Sequence, residues 1–161
     1  MSTDDEFAAL RASPFTSDMD DDEVQVLASI SNCRVLEDEE VLFEEGETGQ
    51  SLHMIVEGRL AVTRDTGGGE WTVLHILGRG DLTGEMSFID GRPHSATLRA
   101  LGPTRICSFD RERFEELVAG NPWVVYKAMR GIVSVVHDIL RRMNSQYVEM
   151  SNYISKQHGR Y

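Results

Sequence analysis

The chain has 161 residues, of which 40% are apolar and 27% are charged, and its formal net charge at pH 7 is −11. This length and composition predict a single domain with a substantial apolar core and exclude a wholly disordered chain. No apolar run approaches the roughly 18 residues that a membrane-spanning helix requires, and the N-terminus carries acids where a secretory signal would carry lysines. We therefore expect a cytoplasmic protein that does not associate with membranes.

The negative charge is concentrated in the first third of the chain. Residues 1–50 contain 15 acids and two arginines, whereas residues 51–161 contain 12 acids and 14 bases. An acidic chain repels nucleic acid, so no nucleic-acid partner is expected. The acidic segment either keeps the protein in solution or docks onto a basic partner.

The two cysteines, Cys33 and Cys107, lie far apart in the sequence and in no metal-binding or redox-motif spacing. The sequence therefore favours two unbonded thiols that act as small, buried or half-buried apolar residues. Such residues are typical of a reducing compartment.

Residues 1–16 are expected to form a flexible acidic lead-in. The next segment contains Asp20 and Glu23, whose separation is that of a capping box. Val24 and Leu27 follow at helical spacing. The sequence therefore predicts a short helix soon after residue 17, where the folded domain is expected to begin.

Residues 17–120 are expected to form a β-roll. Short apolar or alternating stretches recur about every eight to twelve residues and are separated by glycines, a spacing typical of a sandwich or barrel. The stretches are VLFEE, SLHMIVEG, RLAVTRD, WTVLHIL, ATLRAL and RICSFD. The three glycines at 67–69 predict a hairpin loop between two of these strands.

Two helices are predicted after the strands. Asp110 caps the first, which ends at Gly120. Asn121 and Pro122 provide the cap and first residue of the second, which continues to about Tyr153. A mostly apolar row of residues runs along this helix, at alternating spacings of four and three. Its members are Val125, Met129, Ile132, Val136, Ile139, Met143, Gln146, Met150 and Tyr153.

This row predicts that residues 121–161 form a dimerisation helix. A seam with this spacing packs against another helix, most simply its own copy in a parallel homodimer. The alternative is that the helix lies across its own β domain, which the first two turns could do.

Three stretches have the order and content of a known sensor module. They are FEEGETGQSLHMIVEGRLAV at 43–62, GRGDLTGEMSFIDGRPHSATLRA at 78–100 and FDRERFEEL at 109–117. The chain resembles the cyclic nucleotide-binding domain of catabolite-activator-type regulators and protein kinase A regulatory subunits. The resemblance implies a mainly β fold with flanking helices, in which a double-stranded β-helix (jelly-roll) sandwich carries an N-terminal helix and a long C-terminal helix.

The resemblance also implies a ligand site, which we call the cassette, at residues 84–96. The glutamate that matches Glu85 accepts a hydrogen bond from the ribose 2′-hydroxyl in this family, and residues that match Ser95 and Ala96 donate to the phosphate. The implied ligand-binding residues are Gly84, Glu85, Met86, Ser87, His94, Ser95 and Ala96. Cyclic AMP or cyclic GMP is the implied ligand, and no cofactor or metal is implied.

His94 departs from the family pattern, which usually has arginine at this position. Loss of a charged hydrogen bond costs about 1.5–3 kcal/mol, or roughly 10- to 150-fold in affinity. We expect His94 to face the phosphate, so that His94→Arg and a lower pH would both strengthen binding. Arg92 is a possible substitute for the missing arginine.

Two hypotheses of function follow. The first is a stand-alone sensor that binds cyclic nucleotide weakly and signals through an effector protein of unknown identity, because no DNA-reading segment follows the long helix. The second is a degenerate, non-binding domain that acts as a dimeric interaction adaptor. Catalysis is not expected, because Asp90, His94 and Ser95 are too close in sequence to form a relay.

Overall fold

The computed structural model describes residues 3–158, and the element bounds below refer to that range. The helices are α1 (Thr3–Ala12), α2 (Asp21–Ser29), α3 (Glu85–Asp90), α4 (Arg111–Gly120) and α5 (Pro122–His158), with a 3₁₀ turn at Pro14–Thr16. The strands are β1 (Ser31–Leu36), β2 (Val41–Phe43), β3 (Ser51–Glu57), β4 (Leu60–Gly67), β5 (Glu70–Leu77), β6 (Leu82–Thr83), β7 (Thr97–Ala100) and β8 (Thr104–Asp110). No helix in this range is long and apolar enough to cross a membrane.

The strands form two antiparallel four-stranded sheets, in the orders β1-β8-β3-β6 and β2-β7-β4-β5. Side chains such as Leu36, Ile55, Leu60 and Ile106 fill the space between the sheets. A second and larger apolar cluster joins the first sheet to the helices. The predicted fold class, a jelly-roll sandwich with flanking helices, is confirmed.

The local signals at the chain's turns and helix starts are confirmed as well. Asp20 accepts a hydrogen bond from the Glu23 backbone N–H at 2.8 Å at the start of α2. Asp110 accepts from the Glu112 N–H at 2.9 Å at the start of α4. The strands β1 and β6 were missed, because β1 lacks a clear apolar alternation and β6 has only two residues.

The prediction of a flexible lead-in at residues 1–16 is wrong for the residues that are described. Helix α1 and the 3₁₀ turn place Leu10 and Phe15 in the larger apolar cluster. The Phe15 ring packs edge-on against Phe109 of β8, with ring centroids 6.0 Å apart. A few apolar side chains among many acids are enough to anchor this segment.

The expectation of two unbonded cysteines is also wrong. Strands β1 and β8 are neighbours, and their antiparallel register places Cys33 directly opposite Cys107. The Cα atoms are 4.0 Å apart and the sulfurs form a disulfide. Sequence spacing did not reveal this pairing because it depends on the register of two strands that are distant in sequence.

The predicted dimer seam is wrong in its first half, because that row faces the chain's own β domain. Ile132 is fully buried in the larger cluster, and Val125, Met129 and Val136 pack against it. The next two members of the row, Ile139 and Met143, line a cavity described below. The first half of α5 is therefore a core helix.

Gly131 marks the closest approach of α5 to the rest of the domain. A Cβ atom at this position would overlap the Phe15 carbonyl oxygen and lie 2.9 Å from the carbonyl carbon. The helix backbone therefore rests directly on the 3₁₀ turn. One turn earlier, the Lys127 ammonium contacts the Glu23 carboxylate of α2 at 2.7 Å.

We predict that Gly131→Ala destabilises the protein by about 1–3 kcal/mol, because the added methyl group forces α5 away from Phe15. Urea unfolding followed by circular dichroism at a fixed protein concentration measures this change. Gly120→Ala is the matched control, because its Cβ meets nothing within 4 Å. In a helix with free space, alanine is more favourable than glycine, so equal or greater stability of Gly131→Ala would contradict the prediction.

Candidate functional site

A cavity of about 770 Å³ lies between the second sheet, the cassette and α5. Its volume is within the range of small-molecule sites, and its walls are largely apolar with a few polar groups. Every implied ligand-binding residue of the cassette and the possible substitute Arg92 line this one cavity. The structure thus brings these residues together, and their contact with a ligand stays a prediction.

The cassette is held in shape by its backbone. Gly84 has a φ of 77° and begins α3, and a Cβ there would lie 2.8 Å from the Ser51 carbonyl oxygen. Glycine is therefore required at this position, both for the left-handed conformation and for space. The Ser87 hydroxyl donates to the Arg92 carbonyl oxygen and closes the loop that follows α3.

Glu85 presents an unused carboxylate to the cavity. The side chain makes no hydrogen bond or ion pair with another residue in the described part of the chain. Burial raises the pKa of this carboxyl group, and its own backbone N–H offsets part of the effect. A half-buried acceptor that bonds to no other residue is favourably placed to accept from a ligand hydroxyl.

His94 lies in the wall of the cavity, and only 9% of the residue is exposed. Its ring stacks on Phe43 with centroids 3.6 Å apart, and its Nδ1 lies 3.3 Å from the Ser87 hydroxyl. The backbone of His94 is anchored as well, because its N–H donates to the Glu47 carbonyl oxygen at 2.8 Å. A Cβ on Gly49 would approach Nε2 to 2.9 Å, so the ring has little room.

The expectation that a cationic His94 meets the phosphate stays a prediction, and the surroundings of the ring oppose it. Burial lowers the pKa of His94, and the nearby Glu47 carboxylate only partly opposes this. The neutral ring is therefore favoured, and its main contacts are within the protein.

A second histidine shares this region. His53 Nδ1 lies 2.6 Å from the Ser108 hydroxyl, and its ring centroid is 6.0 Å from that of Phe43. Burial lowers the pKa of His53 to about 4, with smaller contributions from His94 and Arg34. Phe43 therefore contacts two histidines that are both held neutral by burial.

The remaining polar residues of the cassette have other partners. Arg92 forms an ion pair with Asp90 at 3.0 Å and is mostly exposed. The Ser95 carbonyl oxygen accepts from Arg64 at 3.3 Å. Asp90, His94 and Ser95 therefore do not form a relay. Among residues 3–158 there is also no group of three His, Cys, Asp or Glu that could hold a metal ion.

Sequence analysis expected the long helix to close over the cassette but assigned no residue of α5 to this site. Five residues of the helix line the cavity, namely Val135, Ile139, Arg142, Met143 and Gln146. Their spacing places them on one helical face. The pattern was visible in the sequence, but Ile139, Met143 and Gln146 were assigned to a dimer seam.

We predict that the free energy of unfolding decreases as the pH falls from about 6.5 towards 4. The unfolded chain binds protons on His53 and His94 near pH 6.5, whereas the folded chain resists them, so stability is full above that pH and lost below it. The shift of His53 to a pKa of about 4 corresponds to about 3 kcal/mol. Urea unfolding at several pH values measures the slope.

The variant His53→Gln should flatten this pH dependence, and His75→Gln is the control because His75 lies exposed on β5. A slope between pH 6.5 and 5 that is the same in wild type and His53→Gln would contradict the assignment.

Comparisons with known proteins identify the family of this chain. The family model described as "Cyclic nucleotide-binding domain" matches residues 33–121. The chain is 33% identical over 84 residues to the cAMP-dependent protein kinase regulatory subunit of Dictyostelium discoideum, which covers 50% of this chain and 26% of that protein. It is 29% identical over 117 residues to the cyclic AMP receptor protein of Thermus thermophilus, and this alignment covers 73% of this chain and 54% of that protein. The chain thus spans from about a quarter to about half the length of these relatives.

Solved structures show the same architecture. A cyclic nucleotide-binding domain from Methylobacillus flagellatus superposes with a TM-score of 0.79 at 24% identity, over 92% of this chain and 83% of that one, which is a likeness of fold. The catabolite activator protein of Thermus thermophilus gives a TM-score of 0.72 at 26% identity, over 86% of this chain and 63% of that one. The family match covers more than half of the chain and contains the cassette. The chain therefore belongs to the cyclic nucleotide-binding domain family.

Proposed function

We propose that this chain is a regulatory module that binds a cyclic nucleotide in the cavity beside the cassette. The observation that carries the proposal is the unpartnered Glu85 carboxylate on the wall of this cavity. In the family the matching glutamate accepts from the ribose 2′-hydroxyl. A cyclic nucleotide supplies that hydroxyl, an aromatic base whose faces can pack on the apolar walls, and one phosphate charge.

The proposed affinity is weak, in the micromolar range or poorer. The family's usual arginine is absent from position 94, and His94 is buried with a lowered pKa. Backbone N–H groups of the cassette remain available as donors. They provide less stabilisation than a guanidinium, which adds about 1.5–3 kcal/mol for a charged hydrogen bond.

We predict that cyclic AMP binds the wild-type protein and that Glu85→Gln weakens this binding about 5- to 30-fold, because the charged acceptor for the 2′-hydroxyl is lost. Calorimetry with cyclic AMP and with 2′-deoxy cyclic AMP measures both affinities. The deoxy ligand should bind wild type and Glu85→Gln alike, since neither complex can form this hydrogen bond.

Glu116→Gln is the matched control because Glu116 lies exposed on α4, away from the cavity. Equal losses with both ligands would contradict the role of Glu85 in binding the sugar. No heat with cyclic AMP, cyclic GMP or cyclic dinucleotides at millimolar concentration would favour the adaptor hypothesis instead, in which His94 and Phe43 keep the cassette only as a scaffold.

We also propose that α5 forms a homodimer, through a different row from the one that the sequence analysis selected. An outward-facing stripe repeats every seven residues, and each member is 51–70% exposed in the single chain. Its members are Tyr126, Val133, Leu140, Tyr147 and Ile154. Met143 and Met150, three residues after Leu140 and Tyr147, are also exposed and complete an alternating three-four pattern.

A second copy of the chain is the proposed occupant of this stripe. Five apolar residues at one heptad position match themselves when two parallel helices align in register, so the stripe is self-complementary. Residues 140 to 157 are all exposed in the single chain, so Leu140 and Tyr147 of the stripe are accessible to a second helix.

We predict that Leu140→Asp together with Tyr147→Asp converts a dimer into a monomer, because two pairs of carboxylates would be buried opposite each other in the seam. Sedimentation velocity at tens of micromolar measures the mass. Val118→Asp is the control, because Val118 is similarly exposed but lies on α4. A wild-type chain that sediments as a monomer at these concentrations would overturn the dimer.

The signal is proposed to pass through α5 to an effector protein. One face of the helix lines the cavity and the neighbouring face carries the stripe. A ligand that binds better to one position of α5 shifts the population towards that position and changes the surface that a partner contacts.

A further inference from the structure

One positively charged side chain on the cavity wall has no partner. Arg142 lies on the α5 face that lines the cavity, and within residues 3–158 its guanidinium makes no hydrogen bond or ion pair. Its neighbours on the same face, Ile139, Met143 and Gln146, carry no charge. Two carboxylates share its surroundings, Asp138 one turn earlier on α5 and Glu85 on the cavity wall, and among residues 3–158 neither forms an ion pair with it.

Apart from Glu85, the unpartnered carboxylate described above, the other titratable groups near Arg142 on the cavity wall have contacts of their own. Arg92 is paired with Asp90 at 3.0 Å, and Asp81 accepts from the Gly78 N–H at 2.8 Å. His94 is buried against Phe43. In the part of the chain that the structure describes, Arg142 is thus the unpaired permanent cation of this cavity.

We propose that Arg142 binds the anionic phosphate of the ligand and replaces the arginine that the cassette lacks. The assignment rests on the proposed function, because it names the residue that neutralises a cyclic nucleotide in that cavity. A guanidinium presents paired donors that match phosphate oxygens, and its charge is permanent at physiological pH. The opposite wall carries the cassette, so a ligand between them contacts both.

This placement has a consequence for regulation. A cation on the cassette binds ligand whatever the position of the long helix, whereas Arg142 binds it only when α5 lies across the cavity. The ligand therefore gains its charged contact in one helix position, and this differential contact is what a population shift requires. The same helix thus provides the charged contact to the ligand and the change in position that a partner detects.

The test is calorimetry of cyclic AMP binding to the full chain and three variants at several salt concentrations. Arg142→Gln removes the charge, and we expect a loss of about 10- to 150-fold in affinity, the range for a charged hydrogen bond. Arg142→Lys keeps a charge and should retain part of the affinity. Arg141→Gln is the matched control, because Arg141 is the adjacent exposed arginine and does not line the cavity.

Salt provides the second readout. If Arg142 binds the phosphate, the wild-type affinity should fall between 50 and 500 mM salt, and Arg142→Gln should lose most of this dependence. Equal affinities of Arg142→Gln and Arg141→Gln would overturn the assignment and leave the proposed function standing. A weaker Arg142→Gln with unchanged salt dependence would also overturn it, since Arg142 would then contact an uncharged part of the ligand. Absence of binding by the wild type would overturn both proposals.

Discussion

The direct backbone contact between Gly131 and Phe15 sets the course of the long helix. Because a side chain at position 131 would overlap the Phe15 carbonyl oxygen, α5 lies closer to the 3₁₀ turn than two ordinary side chains would allow. This contact brings Ala128 and Ile132 into the larger apolar cluster and directs the next turns across the mouth of the cavity. The acidic N-terminal segment therefore has a structural role: its few apolar residues form the surface on which the helix rests.

A second constraint explains why histidine is compatible with position 94. The slot between Phe43 and Gly49 holds a flat, uncharged ring, and burial maintains that state by lowering the pKa. The same slot disfavours a protonated side chain, because a charge without a partner is costly when it is removed from water. The ring of His94 thus has a packing role whatever the cavity binds. In the proposed complex the charge of the ligand would be met by the unpaired guanidinium of Arg142 on α5.

Much of the fold was predictable because its signals are local. Strand alternation, the caps Asp20 and Asp110, and the glycine hairpin at 67–69 depend on a few neighbouring residues, and each appears as expected. The cassette was predictable from its motif. The Cys33–Cys107 pairing was not, because it depends on register between β1 and β8. The face of α5 that packs inward was not predictable either: rows through Ile132 and through Val133 are both apolar at heptad spacing, and only the contact at Gly131 distinguishes them.

In the proposed function, the two apolar rows give α5 two roles along the same stretch of chain. The inward row, with Ile139 and Met143, meets the cavity, whereas the outward row, with Leu140 and Tyr147, is free for a second helix. Adjacent residues on a helix are separated by about 100°, so the two rows use largely different side chains, and Met143 is a member of both. Both rows belong to the same helix. A rotation that improves the fit of the inward row to a ligand must turn the outward row by the same angle, and this geometric linkage requires no further moving part.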